Sequence, residues 1–121
     1  MHEVSIALAI IDEISERATA ENIEAIEMVR LRIGVMTGVV PDALQFAWDL
    51  AAEGTVAAGS RLEIERVALT IACATCACER PVEDRAIPVP ICAVCGDSST
   101  EIVRGRELLI VAMEVRDPVS S

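Results

Sequence analysis

The sequence predicts an α+β fold in which a small three-stranded sheet and two helices are interrupted by an inserted lobe that cysteines hold together. Three observations carry this prediction. Before residue 66, the spacing of apolar residues predicts a helix, a strand, a second helix and a second strand. An apolar strand pattern returns after residue 106. Between them, residues 72–103 contain three prolines and all five cysteines, with little apolar periodicity. The chain has 121 residues, 53% of them apolar, which leaves room for an ordinary core plus a small stapled lobe.

The first helix and the first strand are recognised by their different periods. A helix is predicted over residues 4 to about 20, because apolar side chains recur there at helical spacing: Val4, Leu8, Ile11, Ile14 and Ala18. From about residue 25 to residue 33 the period becomes two, which indicates a strand with Val29, Leu31 and Ile33 on one face.

The second helix is marked at both ends. Pro41-Asp42 is typical of a first helical turn, and Gly54 is placed to end the helix as a C-terminal cap. The only two aromatic residues of the chain, Phe46 and Trp48, lie in this helix, and both are expected to pack in the core.

Two more strands complete the predicted sheet. One lies near residues 62–65 and leads towards the first cysteine pair. The other covers residues 107–115 and is apolar on both faces, which predicts that it is the central strand. The predicted domains are therefore 1–70 plus 104–117 for the α+β part and 71–103 for the inserted lobe, with a frayed tail at 118–121.

The cysteines form the most specific motif in the sequence. Cys73-Ala-Thr-Cys76 is followed after fifteen residues by Cys92-Ala-Val-Cys95. A two-residue gap lets each pair point both sulfurs at one ion, so this spacing predicts a tetrathiolate metal site, most often zinc. Four protein ligands leave no open position, which is typical of a structural site, although iron fits the same four sulfurs. Two disulfides or four unrelated thiols are the alternatives.

Charge and hydropathy exclude other classes of protein. The net charge is −10, whereas nucleic-acid binding needs clusters of basic residues. No apolar run approaches the roughly 18 residues of a membrane span. The start, Met1-His2-Glu3, lacks the basic region of a signal peptide, so a cytoplasmic location with reduced thiols is expected.

The only histidine of the chain stands at position 2. The terminal amine, the imidazole of His2 and the amide nitrogens of His2 and Glu3 lie within reach of one ion. Surroundings so rich in nitrogen suit Ni(II) or Cu(II) in a square-planar geometry. An accidental histidine is the alternative at this stage.

Several stretches that together span nearly the full length follow the pattern of one family: Met1-His2-Glu3 with Ser5-Ile6, Pro41-Asp42-Ala43-Leu44-Gln45-Phe46-Ala47, Gly54-Thr55 with Gly59, both Cys-x-x-Cys pairs, Cys95-Gly96-Asp97-Ser98 and Gly105-Arg106-Glu107-Leu108. On these residues the chain resembles the HypA/HybF family of hydrogenase-maturation nickel chaperones. Two features depart from the simplest pattern, namely a fifth thiol at Cys78 and an extra run at residues 83–86.

The resemblance implies two metal sites. It assigns Ni(II), as the transported metal, to His2 with the backbone nitrogens of Met1, His2 and Glu3, and structural Zn(II) to a zinc-ribbon-like site of four sulfurs: Cys73, Cys76, Cys92 and Cys95. It also implies delivery of Ni(II) to the large-subunit precursor of a nickel-iron hydrogenase, with a HypB-type GTPase as partner. Some members of the family also serve urease. The working form is expected to be a monomer or a homodimer.

Two other functions compete with this interpretation. A zinc-ribbon interaction module predicts a basic patch if it binds nucleic acid, and an iron-thiolate electron carrier predicts a coloured protein. An enzyme is not expected, because the sequence pairs no nucleophile with a base and contains no phosphate-binding glycine loop.

Overall fold

A computed structural model describes residues 3–82, 89–98 and 100–116 of the chain. The predicted α+β fold is confirmed, and the predicted helices and strands all exist close to their predicted bounds. The elements in chain order are α1 Glu3–Ala20, β1 Ala25–Gly34, a short 3-10 turn Val35–Thr37, α2 Pro41–Ala52, β2 Arg61–Val67, β3 Thr70–Cys73, β4 Cys78–Pro81, β5 Thr100–Arg104 and β6 Leu108–Arg116. Neither helix in these ranges is long and apolar enough to cross a membrane.

The described residues divide into two compact units. The first, called the helical unit, takes in residues 3–31, 39–64 and 110–116, and the second, called the cysteine unit, takes in residues 32–38 and 65–109 except the undescribed positions. The predicted domain division at residues 71 and 103 remains a prediction, since a compact unit of backbone contacts is not the same as an independently folding domain. The predicted tail at 118–121 lies outside the described residues.

The core of the helical unit lies between the two helices and around one large aromatic side chain. Trp48 is 1% exposed, and its Nε1 donates a hydrogen bond of 2.9 Å to Oγ of the buried Ser60. This bond satisfies the indole N–H, which would otherwise be buried without a partner. The other fully buried side chains of the unit include Ile14, Ile26, Leu31 and Leu44.

The expected core position of Phe46 is wrong, because 72% of this residue is exposed. Trp48 lies on the same stripe of α2 as the buried Leu44 and Ala47, whereas Phe46 lies on the opposite side of the helix. The apolar stripe predicted for α1 is also shifted. Val4 and Leu8 are exposed, and the buried face consists of Ala7, Ile10, Ile11, Ile14 and Ala18.

The long strands form a three-stranded sheet in the order β2-β1-β6. The predicted central position of the last strand is therefore wrong: β1 is central and β6 is an edge strand. Several apolar residues of β6 stay exposed, among them Leu109 and Val111. Apolar residues on both faces of a strand predict that both faces are buried. They do not predict whether the strand is central, with neighbours on both edges, or lies at the edge of the sheet.

Charged pairs cover the solvent side of this sheet in the helical unit. Arg30 Nη2 lies 2.9 Å from Glu63 Oε1, and Arg61 contacts both Glu63 and Glu114. The guanidinium groups of Arg30 and Arg61 hold the pKa of Glu63 below its usual value. Each of these exposed ion pairs contributes little to stability, and together they make this face of the sheet polar.

The cysteine unit contains a second, antiparallel sheet in the order β4-β3-β5. Its buried cluster consists of Leu69, Ile71, Cys73 and Cys92. Beside it the backbone passes very close to itself. Gly34 N donates to Glu107 O (2.8 Å) and Met36 N donates to Gly105 O (2.7 Å), and a Cβ on Gly34 would overlap the carbonyl of Gly105. Glycine at position 34 is therefore required by this approach of two backbones.

Candidate metal centre

Four cysteine sulfurs meet at one point in the cysteine unit. The Sγ atoms of Cys73, Cys76, Cys92 and Cys95 all lie within 4.8 Å of one another. The Cys73–Cys95 pair is 3.5 Å apart and the Cys76–Cys92 pair 3.8 Å apart. The structure thus brings together the four side chains that the sequence predicts as ligands.

The spacing of the sulfurs fits a tetrahedral ion. With zinc–sulfur bonds of about 2.3 Å, the corners of a regular tetrahedron are about 3.8 Å apart, close to the two observed separations. Four thiolates are the donor set of structural zinc, and the same arrangement fits iron. The residues present therefore fit a tetrathiolate metal site.

Each cysteine pair is shaped by a tight turn. The residue that follows each pair has a left-handed backbone, with φ of 54° at Ala77 and 75° at Gly96. In the first turn the Cys76 N–H donates to Cys73 Sγ (3.5 Å), and in the second the Gly96 N–H donates to the carbonyl of Cys92 (2.8 Å). The two turns therefore share a left-handed residue after the second cysteine, and this conformation strains the alanine of the first turn but not the glycine of the second.

A side-chain hydrogen bond joins the two turns. Thr75 Oγ1 donates to Asp97 Oδ2 over 2.8 Å, and the carbonyl of Asp97 accepts from Cys92 N (3.0 Å). Sequence reasoning missed this link. The available indication was that Thr75 lies inside the first pair while Asp97 follows the second pair by two residues.

Three of the clustered sulfurs, those of Cys76, Cys92 and Cys95, have shifted pKa values. Backbone N–H groups of Cys95 and Val94 lower the pKa of Cys92 to about 6. Contact with the Cys95 sulfur, followed by burial, raises the pKa of Cys76 to about 12. For Cys95, a backbone hydrogen bond from Asp97 lowers the pKa, but the Cys73 sulfur and burial outweigh it. Sulfurs this close resist ionising together, so a divalent cation would stabilise the arrangement and release protons on binding.

The remaining alternatives for the cysteines become weaker in this geometry. All five cysteines are free thiols, which disfavours the disulfide interpretation. Cys78 is half-buried at the start of β4, opposite Cys73, and is not one of the four clustered sulfurs. The extra run at residues 83–86 lies outside the described residues.

The predicted nickel site is described only at its last residue. Met1 and His2 lie outside the described residues. Glu3 begins α1, and its Oε2 accepts a hydrogen bond of 3.2 Å from the backbone N–H of Val40, directly before α2. This contact ties the first turn of α1 to the start of α2 within the helical unit.

Comparison with known protein families gives a match along almost the whole chain. The family model described as "Hydrogenase/urease nickel incorporation, metallochaperone, hypA" covers residues 1–115. A hydrogenase maturation factor HypA from Chloroflexus aggregans is 44% identical over 117 residues, which is 94% of this chain and 98% of the relative. The corresponding factor from Streptomyces avermitilis is 41% identical over 119 residues, covering 97% of this chain and 88% of the relative.

Solved structures support the same fold. The solution structure of the Ni metallochaperone HypA from Helicobacter pylori matches with a TM-score of 0.65 at 20% identity, covering 97% of this chain and 99% of that one. A second solution structure, of a HypA protein, matches with a TM-score of 0.68 at 22% identity, covering 95% and 96% of the two chains. At these identities the likeness concerns the fold alone.

Proposed function

Because this chain belongs to the HypA family, whose model covers residues 1–115, we propose that it is a nickel metallochaperone that serves the maturation of nickel-iron hydrogenase. In this proposal the protein binds Ni(II) at its N-terminal residues and passes the ion to the precursor of the hydrogenase large subunit. The family match carries the proposal, since it includes the Met1-His2-Glu3 segment as well as the four cysteines.

The proposed nickel site uses the imidazole of His2 and the backbone nitrogens of Met1, His2 and Glu3. Nitrogen ligands of this kind suit Ni(II) in a square-planar geometry. The Glu3 carboxylate accepts a hydrogen bond from Val40 N, so we assign to this side chain the positioning of the segment against α2. A carrier must also release its ion. A site made from one imidazole and local backbone nitrogens can be displaced by the ligands of a receiving protein.

Structural zinc is the proposed occupant of the four-cysteine cluster. The sulfur separations of 3.5 and 3.8 Å support zinc at Cys73, Cys76, Cys92 and Cys95. With all four positions taken by protein, this ion has no open site for a substrate. Its role would be to hold the cysteine unit folded while nickel is handled elsewhere.

We further propose a HypB-type GTPase and the hydrogenase large-subunit precursor as partners, in a cytoplasm that keeps the thiols reduced. The relatives are maturation factors, and we propose that this chain likewise carries metal without catalysing a reaction. The net charge of −10 favours contact with basic surfaces and the capture of cations. Whether the chain acts as a monomer or as a homodimer is testable by light scattering with and without nickel.

Metal binding by protein that starts at Met1 without a tag tests this function. The zinc content is measured first, and Ni(II) is then titrated calorimetrically into the wild type, His2→Ala and Glu3→Gln. We expect one zinc per chain in all three and nickel binding that is lost in His2→Ala, because the chain has no other histidine. Glu3→Gln should keep nickel binding, because it retains the backbone nitrogen. Equal nickel binding by the wild type and His2→Ala would contradict the proposal and would leave a zinc-stapled interaction protein as the better description.

A further inference from the structure

Arg80 stands on the inward face of the small sheet in the cysteine unit. In the register of β3 and β4 it lies directly opposite Ile71, which is 1% exposed. Cross-strand partners share one face of a sheet, and so do residues two apart in a strand. Arg80 therefore lies on the face of Cys78, whose partner across the strands is the buried Cys73.

Arg80 is a half-buried residue whose Nε lies in the buried part of the side chain, so part of the cation is removed from water. Burying a charged group is unfavourable unless it is paired and hydrogen-bonded. Arg80 Nε is fully buried, and among the described residues it has no hydrogen-bond partner. No carboxylate in the described ranges pairs with this guanidinium either, in contrast to Arg104 of the same sheet, which contacts Glu79 at 3.4 Å.

The strand register places sulfurs on the same face as Arg80: Cys78 lies two residues before it in β4, and the ligand Cys73 lies opposite Cys78 in β3. In agreement with this placement, the pKa of Arg80 is raised above its usual value, first by the charge of Cys78 and then by the nearby Cys76 thiol, with Cys92 adding to the effect. Two of these three residues belong to the four-cysteine cluster. A zinc ion neutralises only part of the charge of four thiolates, so the loaded cluster remains an anion facing this cation.

We propose that Arg80 is the counter-ion of the four-cysteine metal centre, with its guanidinium offsetting the excess thiolate charge and its buried Nε donating to a ligating sulfur. This inference depends on the metal proposed above for the cysteines and adds a residue outside the ligand set. Hydrogen bonds to metal-bound thiolates hold the ligands in their ionised form. Arg80 thereby slows the loss of zinc from a site whose Cys95 sulfur belongs to an exposed residue.

The rate of zinc release tests this role. Zinc-loaded full-length protein is mixed with an excess of the coloured chelator 4-(2-pyridylazo)resorcinol, and release is followed for the wild type, Arg80→Met and Arg80→Lys. Arg104→Met is the matched control, since it removes the same charge from the same sheet at a solvent-exposed pair. We expect release from Arg80→Met to be roughly 10- to 100-fold faster than from the wild type, the range typical for losing a partner of a metal ligand. Arg80→Lys should lie in between, because it keeps the charge and loses the planar donor.

The methionine variant separates charge from packing. Methionine fills apolar space, so a residue that only packs against Ile71 would hold zinc unchanged in Arg80→Met, and that result would overturn the proposal. If Arg80→Met does not keep zinc through purification, Arg80→Lys decides. Zinc retained by Arg80→Lys after the same purification supports a counter-ion, and zinc loss from Arg80→Lys as complete as that from Arg80→Met contradicts it.

Two further readouts identify the group on which Arg80 acts. With cobalt in place of zinc, the sulfur-to-cobalt absorption band should shift in Arg80→Met and stay unchanged in Arg104→Met; an unshifted band contradicts the proposal. The Arg80→Met effect should also persist in a Cys78→Ser background. If it disappears there, Arg80 acts on Cys78 and the counter-ion role is wrong. The zinc content of the wild type, measured beforehand, tests the metal assignment separately.

Discussion

The helical unit buries a large apolar core around Trp48, whereas the buried cluster of the cysteine unit has four members in the described part of the chain, and two of them are cysteines. Among the described residues, the α-helices lie in the helical unit alone, where they pack against each other. A unit with so few buried apolar side chains gains too little from the hydrophobic effect to fold by itself. From this comparison we predict that ordinary core packing stabilises the helical unit, whereas the proposed zinc stabilises the cysteine unit.

Removal of zinc should cause the largest loss of structure, and this loss should be confined to the cysteine unit. We expect Cys73→Ser, or treatment of the wild type with a strong chelator, to unfold the cysteine unit and leave the helical unit folded. Trp48, the only tryptophan, reports on the helical unit by fluorescence, while amide hydrogen exchange reports on both units. Cys78→Ser is the matched control and should keep zinc. Simultaneous loss of the Trp48 environment and of the cysteine unit would contradict the division.

Truncation of Trp48 should destabilise the other unit, the helical one. Trp48→Ala removes a fully buried aromatic side chain and its bond to Ser60, which we expect to destabilise the helical unit by about 3–5 kcal/mol. Phe46→Ala in the same helix should change the free energy of unfolding by no more than about 0.5 kcal/mol, because Phe46 is 72% exposed. Urea unfolding followed by circular dichroism measures both variants. Similar losses for the two would contradict the placement of these side chains.

Gly34 tests the backbone contact inside the cysteine unit. Gly34→Ala places a methyl group into the carbonyl of Gly105, and we expect a loss of about 3 kcal/mol or more, as for severe overpacking. Gly59→Ala is the comparison, since Gly59 has φ of 74° with open space around it and should lose only about 1–2 kcal/mol through backbone strain. Thermal unfolding of the zinc-loaded proteins distinguishes them, and an equal loss at both positions would argue against the close approach.

The smallest predicted effect is a gain. Ala77 holds a left-handed backbone after the first cysteine pair, at the position that Gly96 occupies after the second. Ala77→Gly should stabilise the zinc-loaded cysteine unit by up to about 1 kcal/mol, because strain at Ala77 is relieved while the unfolded chain becomes more flexible. Gly96→Ala should have the opposite sign. Differential scanning calorimetry of both variants checks the pair, and a loss in Ala77→Gly would show that the first turn is not strained.

The sequence was most informative where periodicity or spacing carries the information. The helical spacing of Leu44, Ala47 and Trp48 reveals the buried side of α2. The two Cys-x-x-Cys motifs likewise reveal which four cysteines cluster. Phe46 was misplaced because hydrophobicity was given more weight than its position off that stripe. The edge position of β6 is not encoded in its apolar residues, since hydrogen-bond order depends on the rest of the sheet.

The contacts around the four-cysteine cluster could not be predicted from the sequence, for a different reason. Strand β4 reads Cys-Glu-Arg-Pro, with no apolar alternation that would reveal its register. Only the pairing of β3 with β4 shows that Arg80 shares a face with Ile71 and the cysteines. The Thr75–Asp97 bond likewise depends on how two turns distant in sequence meet.

The central claim is that two chemically different metal sites exist in one chain, and X-ray absorption at the zinc and nickel edges of protein loaded with both ions tests it most directly. We predict four sulfur neighbours at about 2.3 Å around zinc, and only nitrogen or oxygen neighbours, including one imidazole, around nickel. Sulfur scattering at the nickel edge would contradict this account, because it would place both ions at the cysteines.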